Sequence, residues 1–199
     1  MPNVVILIPA AGQSARMGGR DKLLETVGGM PLLRRQALEA RATGAPVRVT
    51  LPPDRPGRRA ALAGAPGLDI VELADAAEGM AASIRSGAGW AATRGARGLL
   101  VLPGDMPELG RDDLRKVMTM FETAPDAVWR ASDATGRAGH PVILPARLFT
   151  RLARLRGDGG AKPVLRGERV CLVALPNRRA TTDLDTPDAW AAWRSRTGP

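Results

Sequence analysis

Val4-Val5-Ile6-Leu7-Ile8-Pro9 is an unbroken apolar run, and it leads directly into Ala10-Ala11-Gly12-Gln13-Ser14-Ala15-Arg16-Met17-Gly18-Gly19-Arg20-Asp21-Lys22. A β-branched run without alternation is the pattern of a strand buried on both faces, as in a parallel sheet covered by helices on each side. The segment after it has the opposite character. Small residues and three glycines let a backbone approach a ligand closely, and exposed N–H groups can cradle phosphate oxygens. Arg16 and Lys22 add fixed positive charge suited to a polyphosphate. The loop is neither a Walker A loop nor a G-x-G-x-x-G fingerprint; a plain surface turn is the alternative reading.

Outward from this unit, apolar runs and helical spacings alternate. Pro31 sits where the first turn of a helix tolerates it, and Leu33, Ala37 and Ala40 line one face until Gly44. Val47–Leu51 and Asp69–Leu73 read as strands, with a Pro/Arg/Ala segment between them able to form a short helix. Ala81, Ile84, Ala88 and Ala91 recur at helical spacing, and Leu99-Leu100-Val101-Leu102-Pro103 is another buried strand. Leu114, Val117, Met118 and Phe121 fit an amphipathic helix. Further strands are expected near Ala127–Arg130, Pro141–Leu144 and Val170–Leu175, and helices near Ala146–Arg154 and Asp188–Arg194. The alternation predicts an α/β fold: a single three-layer α/β/α domain over residues 1–199 with a mostly parallel, Rossmann-like sheet. In such a sheet ligands bind beyond the carboxyl ends of the strands.

Composition is consistent with that expectation. The 199 residues are 44% hydrophobic but only 3% aromatic, with no Tyr, so the core is aliphatic and alanine-rich. No apolar run approaches the roughly 18 residues that span a bilayer. The start, Met1-Pro2-Asn3, has no basic stretch before its apolar run, so no secretory signal is expected. Cys171, the one cysteine, lies in Val170-Cys171-Leu172-Val173 and reads as a buried core residue in a reducing, cytoplasmic compartment. The formal charge of +9 fits nucleic acid, a membrane surface or small polyanions, or only GC-rich coding. Its two clusters (Arg55, Arg58, Arg59 and Arg151, Arg154, Arg156) lack the interleaved aromatics of single-strand binders. The expectation is therefore no nucleic acid and no membrane partner.

Three more stretches carry chemistry. Asp105 in Val101-Leu102-Pro103-Gly104-Asp105-Met106-Pro107 follows a buried strand and offers a hard oxygen ligand for Mg²⁺, unless it caps the next turn. Glu78-Gly79-Met80-Ala81-Ala82-Ser83 opens a helix whose N–H groups and Ser83 hydroxyl suit a base or ribose, or merely a helix start. Gly136-Arg137-Ala138-Gly139-His140-Pro141-Val142 holds the sole histidine, and the lack of any Cys/His cluster argues against zinc.

The first loop resembles the signature of nucleotidyltransferases that build nucleotide-sugars, CDP-alcohols and molybdenum-cofactor dinucleotides: Ala-Ala-Gly or Ala-Gly-Gly, then Arg-Met-Gly, then Lys. Within that superfamily the chain looks like a molybdenum cofactor cytidylyltransferase. The resemblance implies catalytic roles for Arg16, Lys22 and Asp105, and nucleotide binding by Ala10, Ala11, Gly12, Gln13, Ser14, Arg16, Lys22, Gly79, Met80 and Ser83. Ala11 goes with a pyrimidine where the guanylyl-transferring branch has Gly, although Ala81 and Ala82 replace two serines of the family pattern. Gly139-His140-Pro141 resembles the cytidylyl branch, and Arg156-Gly157-Asp158-Gly159-Gly160-Ala161 a further family segment. Arg137, Gly139, His140, Pro141 and Asp158 are accordingly expected to bind the acceptor. Asp185, in Thr182-Asp183-Leu184-Asp185-Thr186-Pro187-Asp188, joins Asp105 as an implied metal ligand; helix capping by Thr186 is the alternative for that stretch. The implied reaction is Mg²⁺-dependent transfer of CMP from CTP to the terminal phosphate of molybdopterin. A molybdenum dehydrogenase or its chaperone is an implied partner, and the chain an implied monomer or weak dimer. Other acceptors (a sugar or alcohol phosphate), GTP as donor, or a non-catalytic cofactor-binding accessory role are the competing readings.

Overall fold

The run Val4–Pro9 forms β1, and every residue of it is buried. In the computed structural model, which describes residues 3–198, it is the third strand of a seven-stranded sheet. Met1 and Pro2, on which the expected absence of a leader partly rests, lie outside the described residues. After β1 come a short hairpin, β2 (Thr26–Val27) and β3 (Met30–Pro31), then α1 (Leu32–Arg41), β4 (Val47–Leu51), α2 (Pro56–Ala61) and β5 (Leu68–Glu72). The middle holds α3 (Met80–Thr93), β6 (Gly98–Val101), α4 (Arg111–Thr123), β7 (Val128–Ser132) and β8 (Ala138–Pro145). The chain closes with α5 (Phe149–Leu152), α6 (Lys162–Leu165), β9 (Val170–Ala174) and α7 (Pro187–Thr197).

The sheet order is β5-β4-β1-β6-β8-β7-β9. All neighbours run parallel except at β8, which opposes both β6 and β7. The three-layer expectation holds. On one face Leu33 and Ala37 of α1 and Leu114, Val117 and Phe121 of α4 meet Ile6, Ile8, Val49 and Leu100 of the sheet. On the other, Ile84 and Ala88 of α3, Leu152 of α5 and Val164 of α6 meet Val5, Leu7, Leu99 and Val142. Each such fully buried aliphatic side chain contributes roughly 1.5–3 kcal/mol. Among the described residues no helix is long and apolar enough to cross a membrane.

Four local expectations are corrected. Pro31 ends β3, pairing with Thr26, and stands just before α1 with ψ 137°, because its extended backbone closes the hairpin. Gly139-His140-Pro141 lies inside β8, which extends back to Ala138 because Ala138 pairs with Ser132. The helix expected at 146–154 is a 3₁₀ turn followed by the single turn of α5, ended by tight bonds from Arg154 N–H to Arg151 and from Leu155 N–H to Leu152. Cys171 is half-buried, since β9 is an edge strand and its neighbours Val170 and Leu172 face outward.

Candidate active site

The site forms at the carboxyl end of the parallel strands, and a small apolar cluster assembles it. Met17, in the loop after β1, is wholly buried with Val27, Leu32, Leu184, Trp190 and Trp193. Leu184 lies just ahead of α7, whose first turn is capped by the Thr186 hydroxyl accepting from Ala189 N–H at 3.2 Å. Because Met17 and Leu184 share one cluster, their neighbours Arg16 and Asp185 are brought face to face, with Arg16 Nη2 2.5 Å from Asp185 Oδ2. A third tie fixes the strand end: Leu184 N–H donates to the Asp105 carbonyl at 3.1 Å.

Lys22 is the centre of the arrangement. Its Nζ donates to Asp105 Oδ2 at 2.5 Å and to Asp185 Oδ1 at 2.6 Å. Burial alone would depress the ammonium pKa, but the charges and hydrogen bonds of Asp105 and Asp185 outweigh it, so Lys22 is held more firmly protonated than usual. Arg16, Lys22, Asp105 and Asp185 thus form a quartet with two charges of each sign.

The loop that carries Arg16 and Lys22 is held from behind by Arg58 of α2. This side chain is 0% exposed. It donates to the Ala10 carbonyl at 2.6 Å, to Asp21 Oδ2 and Oδ1 at 2.7 and 3.0 Å, and to Ser14 Oγ at 3.0 Å. Burial pushes Asp21 upward, yet the hydrogen bond and charge of Arg58 prevail, and its pKa lies below the ordinary carboxylate value. Ser14 takes a left-handed conformation, φ 53°, its hydroxyl shared between Arg58 and Asp21. Arg55 donates to the Gln13 carbonyl at 2.9 Å, and Arg59 pairs with Glu72. The basic cluster read from the sequence therefore turns three ways, two of them into the loop.

Two cavities meet at the quartet. One, of about 400 Å³, is lined by Gly12 to Arg16, Lys22, Asp158 and Asp185. A Cβ at Gly12 would meet no atom within 4 Å, so the space over the loop is open. The other, of about 380 Å³, is lined by Asp105, Arg130, Arg137, Gly139 and His140. Arg16, Lys22 and Asp185 line both. A larger cavity of about 610 Å³ lies by Glu108, Arg179 and Trp193, away from this cluster. Its Arg179 and Arg196 are paired with Asp113 and Glu108.

The other expected residues divide. Ala10 and Ala11 are buried, and the Ala10 carbonyl is engaged by Arg58. Ser83 does not face a ligand: it is 2% exposed and accepts a hydrogen bond from Thr50 Oγ1 at 3.0 Å. The N–H of Ala81 is taken by the Gly157 carbonyl, so less of the α3 amino end is available than expected. Met80 is exposed at the helix start and lines the cleft. Gly139 has a packing reason, since any side chain there would run into the Ala180 carbonyl, to which His140 N–H donates at 2.8 Å. Pro141 continues β8 behind it. Asp158 packs against Gly79 and lines the cavity over the first loop as well as a recess beyond the cleft, so it stands between the two sides rather than on the acceptor side alone. Arg137 is exposed on the β7–β8 turn. That turn is pinned by Asp133, whose carboxyl is held down to about 2 by the Thr135 hydroxyl, against burial, and then by Thr181 and the N–H groups of Arg137 and Thr135. His140 is pushed down to about 4 by burial and by Arg130, against the pull of Asp105, and is neutral at pH 7.

Two site residues escaped the sequence reading. Arg58 was read only as one of a basic cluster, and nothing local indicates that it reaches Asp21, 37 positions away. Arg130 had a signal: it is the one charged residue of the strand Val128–Ser132, flanked by Trp129 and Ala131.

No group of three or more His, Cys, Asp or Glu side chains able to hold a metal occurs among the described residues. Two carboxylates already converge on one cation, Lys22. This donor set fits a Mg²⁺-type ion, which is commonly bound through one or two carboxylates plus substrate phosphates and waters.

The loop at the carboxyl end of β1 and the cation–carboxylate quartet between two cavities form a cleft suited to a polyphosphate and a divalent ion. Residues 6–174 match the MobA-like NTP transferase domain, and the chain belongs to that family. It is similar in structure to Rv0371c of Mycobacterium tuberculosis H37Rv (TM-score 0.79, 28% identity, 98% of each chain). A second structure of Rv0371c, in complex with manganese, gives TM-score 0.75 and 26% identity over 96% of this chain and 97% of the other. The purine catabolism protein PucB of Bacillus subtilis strain 168 is 28% identical over 119 residues; the match spans 58% of this chain and 56% of that protein.

Proposed function

We propose that the protein transfers a nucleoside monophosphate from a nucleoside triphosphate to a phosphate-bearing small molecule. The observation that carries this reading is Lys22 bridging Asp105 and Asp185 where the two cavities join. The triphosphate lies over Gly12–Arg16, and the acceptor occupies the side of Arg130 and His140. An acceptor phosphate oxygen attacks the α-phosphorus, the bond from that phosphorus to the β-phosphate bridging oxygen breaks, and pyrophosphate leaves with the electron pair. The attacking phosphate is already ionised at neutral pH, so no general base is needed, consistent with a neutral, half-buried His140. Lys22 and Arg16 orient the phosphates and offset their charge, which is the main catalytic demand in such transfers. A divalent ion bound by Asp105 and Asp185 would add positive charge at those oxygens; manganese in Rv0371c supports its presence.

CTP as donor and molybdopterin as acceptor are the specific pair favoured by resemblance at Ala11 and at Gly139-His140-Pro141. The wider class has better support. Ser83 is turned inward, and Gly139 is accounted for by the Ala180 carbonyl, so two residues behind the specific pair have structural reasons of their own. The test is incubation with Mg²⁺, each of the four NTPs, and molybdopterin, a sugar 1-phosphate or an alcohol phosphate, with pyrophosphate and the nucleotidylated product measured. Asp105→Asn should abolish pyrophosphate release while keeping the fold. No pyrophosphate from any pair, or unchanged release in Asp105→Asn, refutes the assignment.

A further inference from the structure

Beside the cleft lies a recess of about 250 Å³ for which the reaction so far has no use. Most of its wall is aliphatic, from Met80 and Ile84 of α3, Val101 of β6, Val142 and Leu144 of β8, and Leu165 of α6, with Asp158 and Lys162 as further charged lining residues beside Arg130. All the aliphatic residues but Met80 belong to the core layer between the sheet and α3, so the recess is a gap in that core. It opens onto the cleft, because Met80, Pro103, Arg130 and His140 line both. An apolar cavity of roughly 150 Å³ accepts benzene, so this one has room for a ring or a short branched chain.

The charge at the junction specifies what accompanies that apolar body. Arg130 Nε donates to the Gly139 carbonyl at 2.7 Å, which fixes the guanidinium, and no carboxylate among the described residues pairs with it. Burial lowers its pKa with no acid opposing the effect. Arg16 and Lys22, by contrast, are compensated by Asp185 and Asp105. The nearby Asp158 is seated against Gly79 at the start of α3, where the helix dipole favours a carboxylate. A partly desolvated guanidinium without a counter-ion is matched by an anion able to accept two of its N–H groups. The aliphatic part of the wall offers no partners to hydroxyl groups, which would there lie unpaired at a cost, whereas Asp158 and Lys162 could meet only groups placed beside them.

We infer that the acceptor is an amphipathic phosphate monoester, its phosphate docked on Arg130 and its apolar ring or branched chain filling the recess between α3, β8 and α6. This rests on the assignment of the Arg130 side of the cleft to the acceptor. It selects against sugar phosphates, whose hydroxyls would lie unpaired against Ile84, Val142 and Leu165.

The test is titration calorimetry of the full chain, without nucleotide or metal, using phenyl phosphate, glycerol 3-phosphate and benzyl alcohol as probes. Phenyl phosphate should bind at least ten-fold more tightly than either of the others. Arg130→Gln should weaken both phosphates ten-fold or more, and Leu165→Gln should bring phenyl phosphate down to the level of glycerol 3-phosphate. Met80→Ser, at an exposed position, tests the same wall should Leu165→Gln fail to fold. Equal affinity for the two phosphates, or phosphate binding indifferent to Arg130→Gln, overturns the inference. These binding results are separable from the chemistry. Preferential phenyl phosphate binding without pyrophosphate release from any NTP refutes nucleotidyl transfer alone; efficient transfer to a sugar phosphate with no phenyl phosphate preference refutes the amphipathic acceptor alone.

Discussion

Replacing Arg58 by Met keeps the length and apolar stem of the side chain and removes its charge and its donors. Contacts to the Ala10 carbonyl, both Asp21 oxygens and Ser14 Oγ are lost together, and Asp21, whose side chain is 9% exposed, is left without a counter-charge. Removing one partner of a buried ion pair costs about 3–5 kcal/mol. Against a total stability of about 5–15 kcal/mol, most molecules remain folded at 25 °C but the denaturation midpoint falls markedly. The sign of the pH dependence identifies the cause. In the parent protein Asp21 titrates below its unfolded value of about 3.9, so its stabilisation is present above that pH and is lost as pH falls through the depressed native pKa. In Arg58→Met the carboxyl keeps only the Leu23 N–H and the Ser14 hydroxyl against its burial and should titrate above that value, so it costs stability as pH rises from about 4. The stability gap between the two proteins should therefore narrow on acidification. Lys22 follows Asp21 in the chain, so the variant should also lose about a hundred-fold in pyrophosphate release, the effect of a displacement near 1 Å. The assays are urea denaturation at pH 4 and pH 7 and pyrophosphate release at saturating NTP. A stability loss under about 1 kcal/mol with unchanged turnover would refute the account of Arg58 as the support of the loop.

Met17→Ala should cost about 2–5 kcal/mol in urea denaturation, the range for truncating a large buried side chain, and should also lower turnover because Arg16 and Asp185 lose their shared anchor. Loss of stability with full activity would separate that cluster from the site. Lys22→Met frees Asp105 and leaves Asp185 paired with Arg16 alone, so Mn²⁺ affinity without nucleotide should rise while kcat/KM falls; calorimetry showing unchanged Mn²⁺ binding would remove Asp105 and Asp185 as a metal pair. His140, displaced to about 4 by burial and Arg130, should leave the pH–rate profile flat between pH 6 and 8. An inflection near 6.5 that disappears in His140→Gln would contradict its neutral state.

What could be read from the sequence was what is local. The run Val4–Pro9 announced a doubly covered strand because all its side chains are apolar, and Asp105 could be placed at a strand end because Leu99–Leu102 is equally unambiguous. The pairing of Lys22 with Asp185 spans 163 positions and was not foreseen, Asp185 having been named only as a metal ligand and only through resemblance. The physical cause, Met17 and Leu184 meeting in one cluster with Trp190 and Trp193, leaves no periodic signal, since Met17 sits in a loop. Strand boundaries erred where tertiary pairing overrode local pattern: Gly139 and His140 look like a turn, but Ser132 pairs with Ala138 and the Ala180 backbone lies against Gly139. Ser83 misled for a related reason, because its position near a helix start says nothing about whether Thr50 waits beneath it.

Net charge shows the same limit from the other side. A formal +9 had nucleic acid, membranes and polyanionic substrates as candidate meanings, and its two arginine clusters lacked the aromatics of single-strand binders. In the fold, Arg58 faces inward to Asp21, Arg59 meets Glu72, and Arg151 shares Glu168 with Arg147. Most of those charges are structural. The functional consequence lies in how the remainder is distributed across one cleft. In the proposed assignment the donor side is electrically balanced, Arg16 and Lys22 against Asp158 and Asp185, so a triphosphate with its divalent ion can enter by exchanging partners with Lys22. The proposed acceptor side carries Arg130 without a paired carboxylate, so an anion is attracted there before any exchange. A nucleotidyltransferase needs this asymmetry: two polyanions must be held within bonding distance of each other, and a site equally positive toward both would give no reason for each to settle on its own side of the reacting phosphorus.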